Sequence, residues 1–210
     1  MRSIAILGAG GHGKVVGDIA ESDGWDEVVF FDDAWPELLS CGDWAVAGNS
    51  QSLIERLNAF SGVVVAAGNN AIRSEKLTWL EQFSAPIVTL VHPVAVISQY
   101  ATLGSGVVVM PGVVVNAAST VGRGVILNTG CTIDHDCIIG DFAHVSPGAH
   151  LGGAVHVGEK SWVGIGASIR QAVKVGAGVV VGAGAAVVSD IEDQLTVVGV
   201  PAKPISRANK

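Results

Sequence analysis

The residue in this chain best placed for chemistry is His135, which lies between Asp134 and Asp136. An imidazole changes charge near neutral pH, and a carboxylate on one ring nitrogen leaves the other free to take a proton. The triplet therefore reads as a general base with its orienting acid. The alternative is a solvated polar corner. His144, His150 and His156 follow at steps of six, a spacing that tempts a metal reading. His92 precedes Pro93 and reads as structural. Near the start, Gly8-Ala9-Gly10-Gly11-His12-Gly13 fits GxGxxG, and Asp32 and Asp33 stand about 20 positions on, as in dinucleotide-binding loops. Glycines there let backbone N–H groups approach a pyrophosphate. Cys41, Cys131 and Cys137 form no CxxC pair and leave an odd count, which suits a reduced, cytoplasmic compartment.

These groups lie in two segments of different composition. Residues 1–91 hold 8 of the 11 aromatics and 12 acidic against 5 basic side chains. Residues 92–210 balance 7 acidic with 7 basic residues and hold 18 of the 28 glycines. The seam near His92-Pro93 separates two domains, 1–91 and 92–210, the second ending in a C-terminal tail. The first segment alternates strands and helices: strands at Ser3–Leu7, Val28–Phe31, Val63–Ala67 and Ile87–Val91, and helices from the glycine loop to Glu21, over Ser52–Ala59 and over Arg73–Phe83. Apolar β-branched runs suit a parallel sheet covered on both faces, hence a Rossmann-like α/β half-domain. Some 90 residues leave no second nucleotide-binding half, which disfavours NAD. Arg73 either faces substrate or caps its helix.

The second segment repeats every six residues. Written in hexads from His92, the sixth residue is aliphatic in all sixteen, from Ile97 to Val187, and the fourth is small or Val. A period of six is neither helix nor plain hairpin. It marks a parallel β-helix, three short strands to an 18-residue coil. The aliphatic residue points into the prism, and glycine, frequent directly after it, is expected to relieve the corner. Steps of six turn a side chain by a third of a coil. His144, His150 and His156 should therefore leave three different faces, so no shared metal is expected. Cys131 and Cys137 fall on the fourth, small-residue place and read as packing.

GAGGHGKVV at the start, AGNNAIR at 67–73, HPVAV at 92–96, NTGCTIDHDCIIGDFAHVSPGAHLGG at 128–153 and GVPAK at 199–203 resemble the nucleotide-sugar and sialic-acid O-acyltransferases. These are left-handed β-helix enzymes with an N-terminal Rossmann-like domain, and the resemblance spans nearly the whole chain. It implies a nucleotide-linked sugar held by Gly10, Gly11, His12 and Gly13, with Asp32 or Asp33 facing base or ribose and Arg73 a further candidate. It implies His135 as base and Asp136 as its orienter, where the family often has Glu. It implies acetyl-CoA near Asn128, His144, Gly153 and Lys203, with the Gly153 N–H meeting the oxyanion.

The resulting expectation is a direct, metal-free, acetyl-CoA-dependent N-acetyltransferase acting on an amino group of a nucleotide-linked sugar, such as a UDP-4-amino-dideoxy sugar, in glycan biosynthesis. The rivals are acetylation of a sugar or sialic acid hydroxyl, and a non-catalytic hexad binding protein. A net charge of −7 argues against nucleic acid. The longest uncharged apolar stretch, Val175 to Val188, has 14 residues, short of the roughly 18–20 a spanning helix needs. No signal-peptide pattern opens the chain. Ser98 to Ile133 carries one charged residue, Arg123. Such a surface suits burial between copies, and a three-sided prism suits a homotrimer with sites between neighbours.

Overall fold

The computed structural model describes residues 2–205; the last residues of the expected C-terminal tail lie outside them. The chain divides into two compact units between Pro93 and Val94. In the first, β1 (Ser3–Leu7) leads through the glycine loop into α1 (Gly11–Ser22) and β2 (Glu27–Phe31). A small hairpin follows, β3 (Ser40–Cys41) and β4 (Trp44–Ala45), then α2 (Ser50–Glu55), a 3-10 turn at Leu57–Ala59, β5 (Gly62–Val65) and α3 (Asn70–Gln82). The strands form a parallel sheet in the order β2-β1-β5. Every residue of β1 and β5 is buried, as expected for apolar runs in a sheet covered on both faces.

Two features of this unit differ from the sequence reading. The hairpin was not foreseen, because two-residue strands carry no periodicity. The expected strand Ile87–Val91 is a strand only at Leu90–Val91. Ile87 makes one isolated bridge, to Val63, and Pro86 just before it has no N–H with which to extend the ladder.

The second unit is a left-handed parallel β-helix. It has sixteen two-residue strands, from Val96–Ile97 to Ala186–Val187, one at the fifth and sixth places of every hexad. From Val96–Ile97 to Ser168–Ile169 each strand pairs in parallel with the strand 18 residues on, as Val114–Val115 pairs with Thr132–Ile133. Face one carries 126–127, 144–145, 162–163 and 180–181; face two carries 114–115, 132–133, 150–151 and 168–169; face three carries 120–121, 138–139, 156–157 and 174–175. From Val107 onward the fourth and sixth places are buried. The ladder on face one continues past the hexads, where Thr196–Val198 joins Val180–Val181 and Lys203–Pro204 turns back antiparallel.

The corners are built differently from the expectation. Left-handed backbone occurs at the third place, in Gly130 and Gly148 and also in Ala118, Asp136 and Ala154. Glycine at the first place serves another purpose, the close approach of the next coil. A Cβ on Gly140 would lie 2.6 Å from the Glu159 backbone nitrogen, closer than any packed atom tolerates.

Candidate active site

In the first unit the carboxyl ends of β1, β2 and β5 enclose a pocket of about 250 Å³, lined by Leu7, Gly8, Gly10, Asp32, Asp33, Val65, Ala66, Ala67, Ile72 and Lys76. This is the crevice where open parallel sheets bind ligands. Gly8 has φ 117, and a Cβ there would meet the Ala66 carbonyl oxygen at 2.8 Å, so only glycine lets the chain turn so close to β5. Gly10 caps α1 with no side chain on its first N–H groups, and neither Gly10 nor Gly11 has an atom within 4 Å of where a Cβ would stand. These donors are open to an anion. Gly13 has a different role: a Cβ there would lie 2.4 Å from the Gly8 carbonyl oxygen, so its bare backbone closes the helix onto the loop.

The two aspartates divide their work. Asp32 accepts the backbone N–H of Ala9 at 2.7 Å and of Ala34 at 2.9 Å, tying the glycine loop to the end of β2. Asp33 accepts the Ser50 N–H at 2.9 Å and pairs with Lys76 Nζ at 2.5 Å. Partial burial would raise its pKa, but the bonds from Lys76 and Ser50 outweigh that and hold it at about 2. Lys76 had no signal in the sequence.

His12 and Arg73 lie behind the loop. Burial, reinforced by the nearby Arg73 charge, lowers the His12 pKa to about 4, so the ring is neutral at physiological pH. His12 therefore brings no positive charge to a phosphate. Arg73 is 1% exposed and donates to the carbonyls of Ala67 and Gly68 and to Asn70 Oδ1. It braces the loop between β5 and α3 and does not line the pocket. The cap of α3 is Asn69, whose Oδ1 accepts from Ala71 and Ile72.

In the second unit His135 sits on the corner between faces two and three. Its Nδ1–H donates to Asp136 Oδ2 at 2.7 Å, and both side chains are more than half exposed. Asp136 adopts φ 59, a left-handed conformation that Asp tolerates better than most residues. The hydrogen bond to Asp136 and the charge of Asp134 raise the His135 pKa above the usual histidine value. Asp134 Oδ1 accepts the His135 N–H and Asn116 Nδ2, which hold its carboxyl below the usual range. Buried Ser119 fixes both ends of the corner, donating to the Asp134 carbonyl and accepting from Cys137 N–H. Asn116 and Ser119 were not singled out in the sequence, although Asn116 stands one coil below Asp134.

Gly153 is one coil above His135. A Cβ there would lie 2.6 Å from His135 Cε1 and Nε2, so the imidazole rests against a bare backbone. Among the described residues the Gly153 N–H has no hydrogen-bond acceptor. With Nδ1 protonated and bonded to Asp136, Nε2 carries the lone pair, the arrangement of a general base.

Asn128 and His144 form a second cluster, on the side of the prism opposite that corner. Asn128 Nδ2 donates to His144 Nε2 at 3.0 Å, and the buried His144 ring lies 4.2 Å, centroid to centroid, from Trp162. With Ile165, Val180 and Gly182 they line an apolar groove of about 470 Å³. Trp162, one coil above His144, was also not foreseen. Lys203 lies exposed in the returning strand on the same face, outside the groove lining.

His144, His150 and His156 do leave from three different faces, and among the described residues no group of three His, Cys, Asp or Glu side chains could hold a metal ion. All three cysteines are free and buried, and burial pushes the Cys131 thiol up to about 12, which removes it as a nucleophile at neutral pH. No helix among the described residues is long and apolar enough to cross a membrane.

Residues 3–80 match the family described as PglD N-terminal domain. The UDP-N-acetylbacillosamine N-acetyltransferase of Bacillus subtilis (strain 168) is 38% identical over 114 residues, 52% of this chain and 52% of that protein. The match thus spans about half the length of that curated relative. The acetyltransferase domain of PglB from Neisseria gonorrhoeae FA1090 is 44% identical, with a TM-score of 0.91 over 98% of this chain and 100% of that one, and it has also been solved with acetyl coenzyme A. PerB from Caulobacter crescentus, solved with CoA and GDP-perosamine, is 36% identical, with a TM-score of 0.92 over 98% of both chains.

Proposed function

We propose that this chain, which belongs to the family of left-handed β-helix nucleotide-sugar acyltransferases, transfers an acetyl group from acetyl-CoA to an amino group of a nucleotide-linked sugar. The observation that carries this reading is the exposed Asp136–His135 pair resting against Gly153. His135 Nε2 takes the proton as the sugar nitrogen attacks the thioester carbonyl. The C–N bond forms, the C–S bond breaks, and CoA leaves as the thiol. The Gly153 N–H donates to the tetrahedral oxyanion in this reading. His135 acts as base with no covalent acyl-enzyme. The pocket of the first unit holds the nucleotide, its phosphates at the open N-terminus of α1 and its nucleoside beside Asp33. The apolar groove by Trp162 suits the pantetheine arm of the donor, and Lys203 lies further along the same face.

The enzyme works as a homotrimer. The catalytic corner and the Asn128–His144 groove occupy opposite sides of one prism, so neighbouring chains must bring them together. The exposed side chains of Val94, Val96, Tyr100 and Ile138 supply apolar surface for such contacts. Three free buried cysteines suit the reducing cytoplasm.

The test is thiol release from acetyl-CoA against a panel of 4-amino nucleotide sugars and free sialic acid. Turnover is expected with one of the amino sugars. Turnover only with a hydroxyl acceptor would overturn N-acetylation. Light scattering should give a mass near three times 21.3 kDa, and a fully active monomer would refute the shared site.

A further inference from the structure

The pocket of the first unit has a polar end whose chemistry chooses among nucleobases. Its walls are apolar, from Leu7, Val65, Ala66, Ala67 and Ile72. Beyond the glycine loop, its charged groups are Asp32, Asp33 and Lys76. Asp32 already accepts one backbone N–H on each oxygen, and those bonds hold the loop in place. What is left is Asp33 with Lys76. Lys76 Nζ donates to Asp33 Oδ2 at 2.5 Å and to Ser50 Oγ at 3.2 Å. An ammonium has three N–H donors, so one is uncommitted among the described residues. Asp33 is also bonded by Ser50, through its N–H and its side chain, and still keeps an acceptor site to spare, since a carboxylate offers about four. The pair thus presents one donor beside one acceptor, fixed by Ser50, at an apolar slot.

We propose that Lys76 and Asp33 read the base edge and select an oxo base (uracil, thymine or guanine) over an amino base (cytosine or adenine). The inference rests on the nucleotide-sugar reading above. Gly8 and Gly10 of the glycine loop line the same pocket as this pair, so a nucleotide with its phosphates at the loop turns its base edge to Lys76 and Asp33 in this reading. An oxo base shows a carbonyl oxygen next to a ring N–H: O4 with N3–H in uracil and thymine, O6 with N1–H in guanine. The oxygen accepts from Lys76 and the N–H donates to Asp33. Cytosine and adenine carry an amino donor and a bare ring nitrogen at those two positions. Donor then meets donor and acceptor meets acceptor. Once the base covers the pair, a mismatch of this kind leaves polar groups unpaired, which discriminates more strongly than a difference in apolar fit.

Calorimetry on the full chain with UDP, CDP, GDP and ADP tests this. One oxo nucleotide should bind at least ~10-fold more tightly than its amino counterpart, UDP over CDP or GDP over ADP. Lys76→Met, a good helix former at a partly exposed site, should bring that ratio to within about threefold by weakening the oxo nucleotide. Asp33→Asn, whose amide can turn a donor toward the ring nitrogen, should also narrow it. A wild-type ratio under about threefold, or a ratio unchanged in Lys76→Met, overturns the assignment. Failure of all four nucleotides to bind overturns the nucleotide reading itself, and this inference with it.

Discussion

Gly153→Ala separates the catalytic corner from the fold that carries it. The new methyl would stand 2.6 Å from Cε1 and Nε2 of His135 and 3.2 Å from Nδ1. Carbon atoms in contact rest at about 3.5–4.0 Å, so the ring must retreat by about 1 Å. The three nearest atoms all belong to this ring, which is more than half exposed and has room to yield. Stability should therefore hold, with an unchanged melting temperature. Activity should not hold, because a shift of about 1 Å in a reacting group can cost about 100-fold. The assay is steady-state thiol release with the best amino-sugar acceptor, with kcat and KM determined separately. The neighbouring substitution is the control. A methyl on Gly152 would lie 2.8 Å from the backbone nitrogen of Gln171, which cannot swing away. Gly152→Ala should cost about 1–3 kcal/mol of stability and lower the melting temperature. A Gly153→Ala enzyme within threefold of wild-type turnover would refute the argument that His135 works from its present position.

His135→Ala should lower kcat by about 100-fold or more with little change in the acetyl-CoA KM, the scale of a lost general base; kcat within threefold of wild type would remove His135 from that role. The base must be neutral to act, and Asp136 and Asp134 raise its pKa, so kcat/KM should rise with pH through a value above that of an ordinary histidine. Asp136→Asn, which keeps a side chain suited to φ 59, should move that inflection to lower pH; an unmoved inflection would show that another group titrates. NADH should not bind at a level calorimetry detects, since the first unit offers only three parallel strands; tight binding would reassign Asp32 and Asp33 to that cofactor's ribose.

The prism was legible because its signal is local and periodic: each sixth-place aliphatic side chain reports its own orientation, and sixteen agree. The roles of its glycines were not, because corner strain and inter-coil approach both select glycine, and only backbone angles separate the third place from the first. In the first unit the glycine loop and the acidic pair could be read from their spacing. Lys76 could not, since a lysine on a helix is ordinary until the fold sets it 2.5 Å from Asp33. Arg73 was ambiguous for the converse reason: a charge in a loop motif suggests a ligand, whereas its guanidinium is spent on loop carbonyls. Within the prism, tertiary partners share one arithmetic. Residues 18 apart stack on the same face or corner, which sets Gly153 over His135, as their spacing implies, and also brings Asn116 to Asp134 and His144 to Trp162, the two pairs that sequence reasoning missed. His135 and His144 are nine apart, half a coil, so they lie on opposite sides of the same prism. With His135 as the proposed base and the His144 groove as the proposed donor site, the two stand half a coil apart on one prism, which is why the proposed active site calls for a second chain. The proposed trimer answers that need: it sets the corner of one prism against the groove of the next, and closing the contact into a ring of three would give every base a groove.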